Sequence, residues 1–355
     1  MRIRRVLAIV VALAFAITSA PVAAQKKDDK KPPKRSKAEQ ADVETLVRLV
    51  DGVAGGTQPA PTDVAVTWES NHFVKGQDGV TYIPFTLTVD RTTLPKGLVA
   101  YYVRVVNKAE AAAAAAAASK DKDAKASDAK APARQDYPWD NINFIEIPAN
   151  GKVTRAIQLK SGDYEAFVAI KEKAPEKEQK NAPPAKIGLV RHELKVPDYT
   201  ANDLATSSIM MASNIEVLNA PLSQDKQEEN PYTFGPMKVN LSPDAKFTKT
   251  GELNLVFWIY GAGAAAAGKP NVQVEYAFHQ KLPEGEKYFN RTQPQVLNAE
   301  SLPPEFDVAA GHQLPGTLTV PLASFPAGDY RLEIKITDKT SNKTLTQNVS
   351  FTVQA

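Results

Sequence analysis

The chain has 355 residues, 43 basic and 40 acidic side chains, four histidines and no cysteine. The missing thiol excludes disulfides, thiolate metal sites and cysteine nucleophiles, so the fold has to rest on packing alone. Arg2, Arg4 and Arg5 equal the whole net charge of +3, and residues 26–37 (KKDDKKPPKRSK) set seven bases against two acids, which leaves the rest acidic. A body of that sign offers no grip on phosphate backbones, so no nucleic-acid partner is expected.

In chain order, the first signal is at residues 1–24. The three arginines precede an apolar run from Val6 to Ile17, and Val22-Ala23-Ala24 places small residues before Gln25. That is the pattern of a signal peptide, and it predicts an exported chain, periplasmic or extracellular. The run falls short of the roughly 20 apolar residues that a membrane span needs. No other stretch qualifies, so no transmembrane segment is expected after cleavage. Residues 25–60 read as a basic leader followed by a short helix, Ala38 to Val53. Val43, Leu46, Val47, Val50 and Val53 share one helical face, and Gly55-Gly56 ends it.

Beyond the Pro-rich stretch 58–62 the period changes to two. Val80–Val89, Leu98–Val106, Ile142–Ile147, Asp163–Ile170 and Ile187–Val196 are rich in β-branched and aromatic residues between turn formers. The texture returns at Ile209–Met211, Glu252–Tyr260, Val272–Phe278, Gly316–Leu322, Asp329–Asp338 and Leu345–Val353. Many short strands with turns between them predict an all-β chain of two tandem immunoglobulin-like or fibronectin-III-like sandwiches, spanning residues 61–197 and 198–355. The two halves repeat a motif. Gly162-Asp163-Tyr164 and Gly328-Asp329-Tyr330 each open a penultimate strand, which marks Tyr164 and Tyr330 as tyrosine corners. Low-complexity inserts at 109–134, 171–186 and 261–269 read as exposed spacers at hairpin tips.

Little in the sequence carries chemistry. Gly263-Ala-Ala-Ala-Ala-Gly268-Lys269 has the spacing of a phosphate loop, but Pro270 stands where Ser or Thr should hold magnesium, and a strand follows instead of a helix. His72, His192, His279 and His312 show no metal-ligand spacing. No G-x-S-x-G elbow and no calcium loop occurs. The expectation is therefore no catalytic residue, no metal and no cofactor. In Glu252–Tyr260, alternation sends Phe257 and Ile259 to one face and Trp258 and Tyr260 to the other. One face is core. Trp258 and Tyr260 are the candidate binding surface if the second face is open, and interdomain packing if it is covered.

The runs Asn71 to Val89, Val196 to Ile209 and Phe325 to Asp338 resemble secreted β-sandwich regions of acidobacterial proteins. Those regions accompany von Willebrand factor A-related or GWxTD-containing proteins. Neither the D-x-S-x-S metal motif nor the GWxTD tetrapeptide is present here, so no metal-dependent adhesion and no catalytic residue is implied. The resemblance implies an envelope or secreted protein. On these grounds the sequence points to an exported, non-enzymatic binding or scaffolding protein, with an envelope protein or a polysaccharide as partner. The alternatives are a carbohydrate-binding or hydrolase accessory module that uses Trp258, and a divergent enzyme with a site near Tyr199 to Leu204.

Overall fold

The computed structural model describes residues 35–94, 97–113, 136–175, 184–201, 203–264, 268–308 and 310–355. The signal-peptide expectation, the basic stretch before Arg35 and most of the low-complexity inserts lie outside the described residues. The chain divides into two compact units. One holds the described part of Gln25–Asn71 together with Val80–Asp198; the other holds His72–Gly79 together with Tyr199–Ala355. The short segment His72–Gly79 therefore belongs with the C-terminal half, although it sits in sequence among the strands of the N-terminal half.

The N-terminal unit begins with helix α1 (Lys37–Ala54). Ser36 caps it in a capping box with Glu39, and Gly55 closes it. The strands that follow are β1 (Val66–Asn71), β2 (Val74–Lys75, in the other unit), β3 (Thr81–Val89), β4 (Leu98–Asn107), β5 (Trp139–Glu146), β6 (Lys152–Leu159), β7 (Gly162–Glu172) and β8 (Ile187–Val196). Antiparallel pairing builds two sheets, β1-β3-β6 and β5-β4-β7-β8. Both lie on one core: Ile83, Phe85, Leu87, Val103, Val105, Ile157, Val168 and Ile170 are all buried. Splitting consecutive hairpin strands between two facing sheets is the immunoglobulin-like arrangement.

Helix α1 adds a third layer. Leu46, Val50 and Val53 are buried against Ala100, Tyr102, Phe167, Ala169 and Leu189 on the outer face of the four-stranded sheet. Both faces of β4 and β7 are covered as a result. That is why their sequences read as near-continuous apolar runs instead of alternating cleanly.

The C-terminal unit carries β9 (Ala205–Thr206), β10 (Met210–Val217), β11 (Thr233–Phe234), β12 (Met237–Leu241), β13 (Lys246–Thr248), β14 (Glu252–Tyr260), β15 (Val272–Leu282), β16 (Gly285–Arg291), β17 (Gln295–Leu297), β18 (Leu314–Pro321), β19 (Gly328–Asp338) and β20 (Lys343–Gln354). One sheet runs β11-β12-β10-β14-β18 and the other β13-β20-β19-β15-β16. Its core is markedly aromatic: Phe247, Phe257, Tyr276, Phe278, Phe306, Phe325, Tyr330 and Phe351 are buried together. The pairing β14–β18 against β16-β15-β19-β20 repeats β3–β6 against β5-β4-β7-β8 in order and direction. The protein is thus all-β, with two tandem immunoglobulin-like sandwiches and a short helix before them.

The two Gly-Asp-Tyr motifs open corresponding strands, β7 and β19. Gly162 and Gly328 share a backbone angle that side chains resist, with φ of 148° and 144°. The Tyr330 hydroxyl donates to the Pro326 carbonyl at 2.8 Å, four residues upstream. Tyr164 is buried as well, but its ring folds back over Gly162 and its hydroxyl meets Asn107.

Candidate functional site

Strand β14 places Trp258 and Tyr260 on the same side, as the alternation requires, but that side is closed. Trp258 is 2% exposed and Tyr260 is 5% exposed. Phe234 packs edge-on against Trp258 with ring centroids 4.6 Å apart. Ser207 clamps the Trp258 backbone from both directions, its N–H donating to the Trp258 carbonyl and its Oγ accepting from the Trp258 N–H, each at 2.9 Å. Tyr199 covers the Tyr260 ring at 4.9 Å, and the Lys75 ammonium lies 5.9 Å above it. The Lys75 N–H donates to the Tyr260 hydroxyl at 3.0 Å. Burial drives the pKa of that hydroxyl well above the tyrosine range. The second face of β14 is thus covered, and the residues over both rings belong to the same unit.

Part of that cover, Lys75 over Tyr260, comes from His72–Gly79. The Phe73 N–H donates to Ser208 Oγ at 2.8 Å, and the Ser208 N–H returns a bond to the Phe73 carbonyl at 2.8 Å. Gln313 Nε2 donates to the Lys75 carbonyl at 3.2 Å. His72 closes the segment against Tyr232, Nδ1 to hydroxyl at 2.9 Å with the rings edge to face. Burial pulls the His72 pKa down to about 4. Alternation along β14 gave no hint of this cover, because it arrives from a segment far away in sequence.

The other histidines are held in packing contacts too. His192 stacks on Trp68 at 4.5 Å and 6°, with Phe85 stacked on the opposite face of the same indole. Asn71 Oδ1 accepts from Trp68 Nε1 at 3.1 Å and lies 3.2 Å from His192 Nε2. Desolvation lowers the His192 pKa. His279 meets Tyr288 edge-on, and His312 Nδ1 accepts from the Asp307 N–H at 3.0 Å. Among the described residues no group of three or more His, Asp or Glu side chains is placed to hold a metal ion.

The phosphate-loop look-alike is engaged at both ends. The Gly263 N–H donates to Oδ2 of the buried Asp338 at 2.8 Å. Asp338 also accepts from the Thr340 N–H and the Ser341 hydroxyl, and its pKa stays low despite burial. Lys269 Nζ donates to the Pro303 carbonyl at 2.7 Å.

Sequence reasoning missed the charged cluster beneath α1. Arg104 points outward from β4, yet it is 2% exposed, because the helix covers it. It pairs with Asp51, donates to the Tyr137 hydroxyl at 3.3 Å and stacks 4.0 Å above the Tyr137 ring. Lys171 pairs with Asp42 on the same face, and both are buried. Asp42 also accepts from the Ala174 N–H at 3.0 Å, and Lys173 pairs with Glu39 at 2.8 Å. Basic residues inside the apolar runs of β4 and β7 were the available signal, with acids on the helix as their complement. The cluster ties the helix layer to the sheet beneath it.

Among the described residues no helix is long and apolar enough to cross a membrane. No protein-family model matches the chain, and no curated protein does. Among solved structures, it is similar to an immunoglobulin-like protein of Pseudomonas aeruginosa at 12% identity, covering 41% of this chain and 97% of that one with a TM-score of 0.20. It is also similar to trypsin-activated α2-macroglobulin of Escherichia coli at 9% identity, covering 84% of this chain but only 17% of that one with a TM-score of 0.21. With scores of this size, the sandwich assignment rests on the strand order and register within each unit.

Proposed function

We propose that the chain is an exported, non-enzymatic binding or scaffolding protein of the cell envelope. One observation carries this reading. The side chains best suited to chemistry or stacking are spent inside their own sandwich: His72 on Tyr232, His192 on Trp68, Trp258 under Phe234 and Tyr260 under Tyr199. What such sandwiches still offer a partner is strand edges and loops, where an extended segment adds by main-chain bonding. The basic, apolar and small residues in sequence over 1–24 support export. The resemblance to secreted acidobacterial sandwich regions supports an envelope setting.

Photo-crosslinking from the chain in its native envelope, followed by identification of what is captured, tests the reading. The expected result is a discrete adduct to an envelope protein or polymer. Turnover of peptides, esters or glycosides by the purified chain, abolished by changing a single carboxylate or histidine, would overturn it.

A further inference from the structure

Residues His72–Gly79 lie in the C-terminal unit, although the chain on either side of them belongs to the other unit. Tyr199–Ala355 does not hold them as a neighbouring strand would, by a ladder of main-chain groups on main-chain groups. The Phe73 N–H donates to Ser208 Oγ at 2.8 Å, and the Lys75 N–H to the Tyr260 hydroxyl at 3.0 Å. Gln313 Nε2 donates to the Lys75 carbonyl at 3.2 Å. The Phe73 carbonyl takes the Ser208 N–H at 2.8 Å and the Tyr199 hydroxyl at 3.4 Å. Ser208 follows β9, Tyr260 ends β14 and Gln313 precedes β18, so separate elements converge on one short stretch of backbone.

The N–H and C=O groups of both Phe73 and Lys75 are thus taken, and in four of the five bonds the partner is a side chain. Val74, between the two, is buried. Main-chain bonds at alternate residues, with selectivity left to the side chains, are the way an extended peptide is recognised. Two side chains add to this. His72 Nδ1 lies 2.9 Å from the Tyr232 hydroxyl, and the Lys75 ammonium stands 5.9 Å over the Tyr260 ring. None of these contacts uses the covalent continuity of the segment with the residues that hold it.

We propose that the C-terminal sandwich carries a groove for an extended peptide, and that His72–Gly79 fills this groove in cis as a built-in ligand. The ligand class can be read from the segment. It is an extended stretch with N–H and C=O groups free at two alternate residues, a small apolar side chain between them and a basic side chain on the second. A peptide of that pattern competes with the tethered segment, which the chain presents at an effective concentration on the order of millimolar. The inference rests on the binding role proposed above and gives it a ligand class. Crosslinking in the envelope tests the role, whereas the groove is tested on purified protein, so either can fail without the other.

The test measures anisotropy of the fluorescent synthetic peptide Asn71–Val80. A full-length chain with residues 72–79 replaced by a Gly-Ser linker of equal length should bind it one to one. The wild-type chain, whose groove is occupied, should bind it roughly tenfold or more weakly. N-methylation of the peptide at Phe73 or Lys75 should weaken binding by about tenfold, the equivalent of one lost hydrogen bond. N-methylation at Gln77, whose N–H enters none of the bonds above, should leave it unchanged, and Val74→Asp should abolish it. Circular dichroism follows the linker chain itself: where strand signal has been lost, the peptide has to restore it. Equal affinity for the two chains overturns the proposal. So does a linker chain that fails to bind the peptide, or binding indifferent to N-methylation at Phe73 and Lys75.

Discussion

Tyr330 shows how one hydroxyl ties a loop to a sandwich. Its ring joins Phe325, Phe289 and Phe351 in the core, while its oxygen reaches back to the Pro326 carbonyl. Tyr330→Phe keeps the ring and deletes the bond, so we expect a loss of about 1 kcal/mol, read as a lower urea midpoint at unchanged slope. Gly328→Ala acts two residues earlier, where φ is 144°. Forcing a Cβ into that region costs roughly 1–3 kcal/mol, so it should exceed the tyrosine change although no core atom is lost. An Ala variant that leaves the midpoint in place would show that the turn relaxes to another conformation. The Gly-Asp-Tyr repeat was legible because both halves meet the same steric demand at the same step. Whether Trp258 and Tyr260 face solvent was not legible. Alternation assigns side chains to faces, but only tertiary structure decides that Phe234, Tyr199 and Lys75 cover one of them.

At the scale of the element, α1 is fixed by charge as well as by apolar contact. Its Leu46, Val50 and Val53 stripe was readable from the 3.6-residue period. The surface it docks on was not, because a strand covered on both faces loses the alternation that would mark its outer side. The informative residues were Arg104 and Lys171, which interrupt apolar runs and have to find partners once the helix buries them. Asp42→Ala leaves Lys171 buried beside no carboxylate, and breaking a buried pair from one side costs roughly 3–5 kcal/mol. Asp42→Leu with Lys171→Met removes both charges and should recover most of that loss, since a buried ion pair and well-packed apolar residues are often close in energy. A double-mutant cycle by urea unfolding measures the coupling. If the single change costs no more than a surface substitution, the helix is peripheral and the three-layer description fails. Glu39 contributes less, since its bond to Lys173 is only partly shielded from solvent, which weakens an ion pair.

For the whole molecule, neither compact unit is a continuous piece of chain. The strand rhythm placed a boundary between two sandwiches, but it could not reveal that His72–Gly79 completes the C-terminal one. Such a segment obeys the same local propensities wherever it packs. Its anchor is His72, desolvated against Tyr232 with a pKa of about 4 in place of an ordinary 6.5. A histidine depressed in the folded state resists protonation there, while the unfolded chain takes up the proton near its ordinary value. Stability attached to His72 is therefore complete above about pH 6.5. It falls as the pH drops toward 4, by up to about 3 kcal/mol from the free-energy equivalent of that shift. Urea unfolding followed through Trp258 should show the midpoint falling between pH 6.5 and 5, above the range where ordinary carboxylates titrate. In His72→Gln, which keeps a polar side chain beside Tyr232 but takes up no proton, the unfolding midpoint should fall less over that window, what slope remains coming from the other depressed histidine, His192. An equal slope in both proteins would place the acid sensitivity elsewhere and would leave the inserted segment without its titrating anchor.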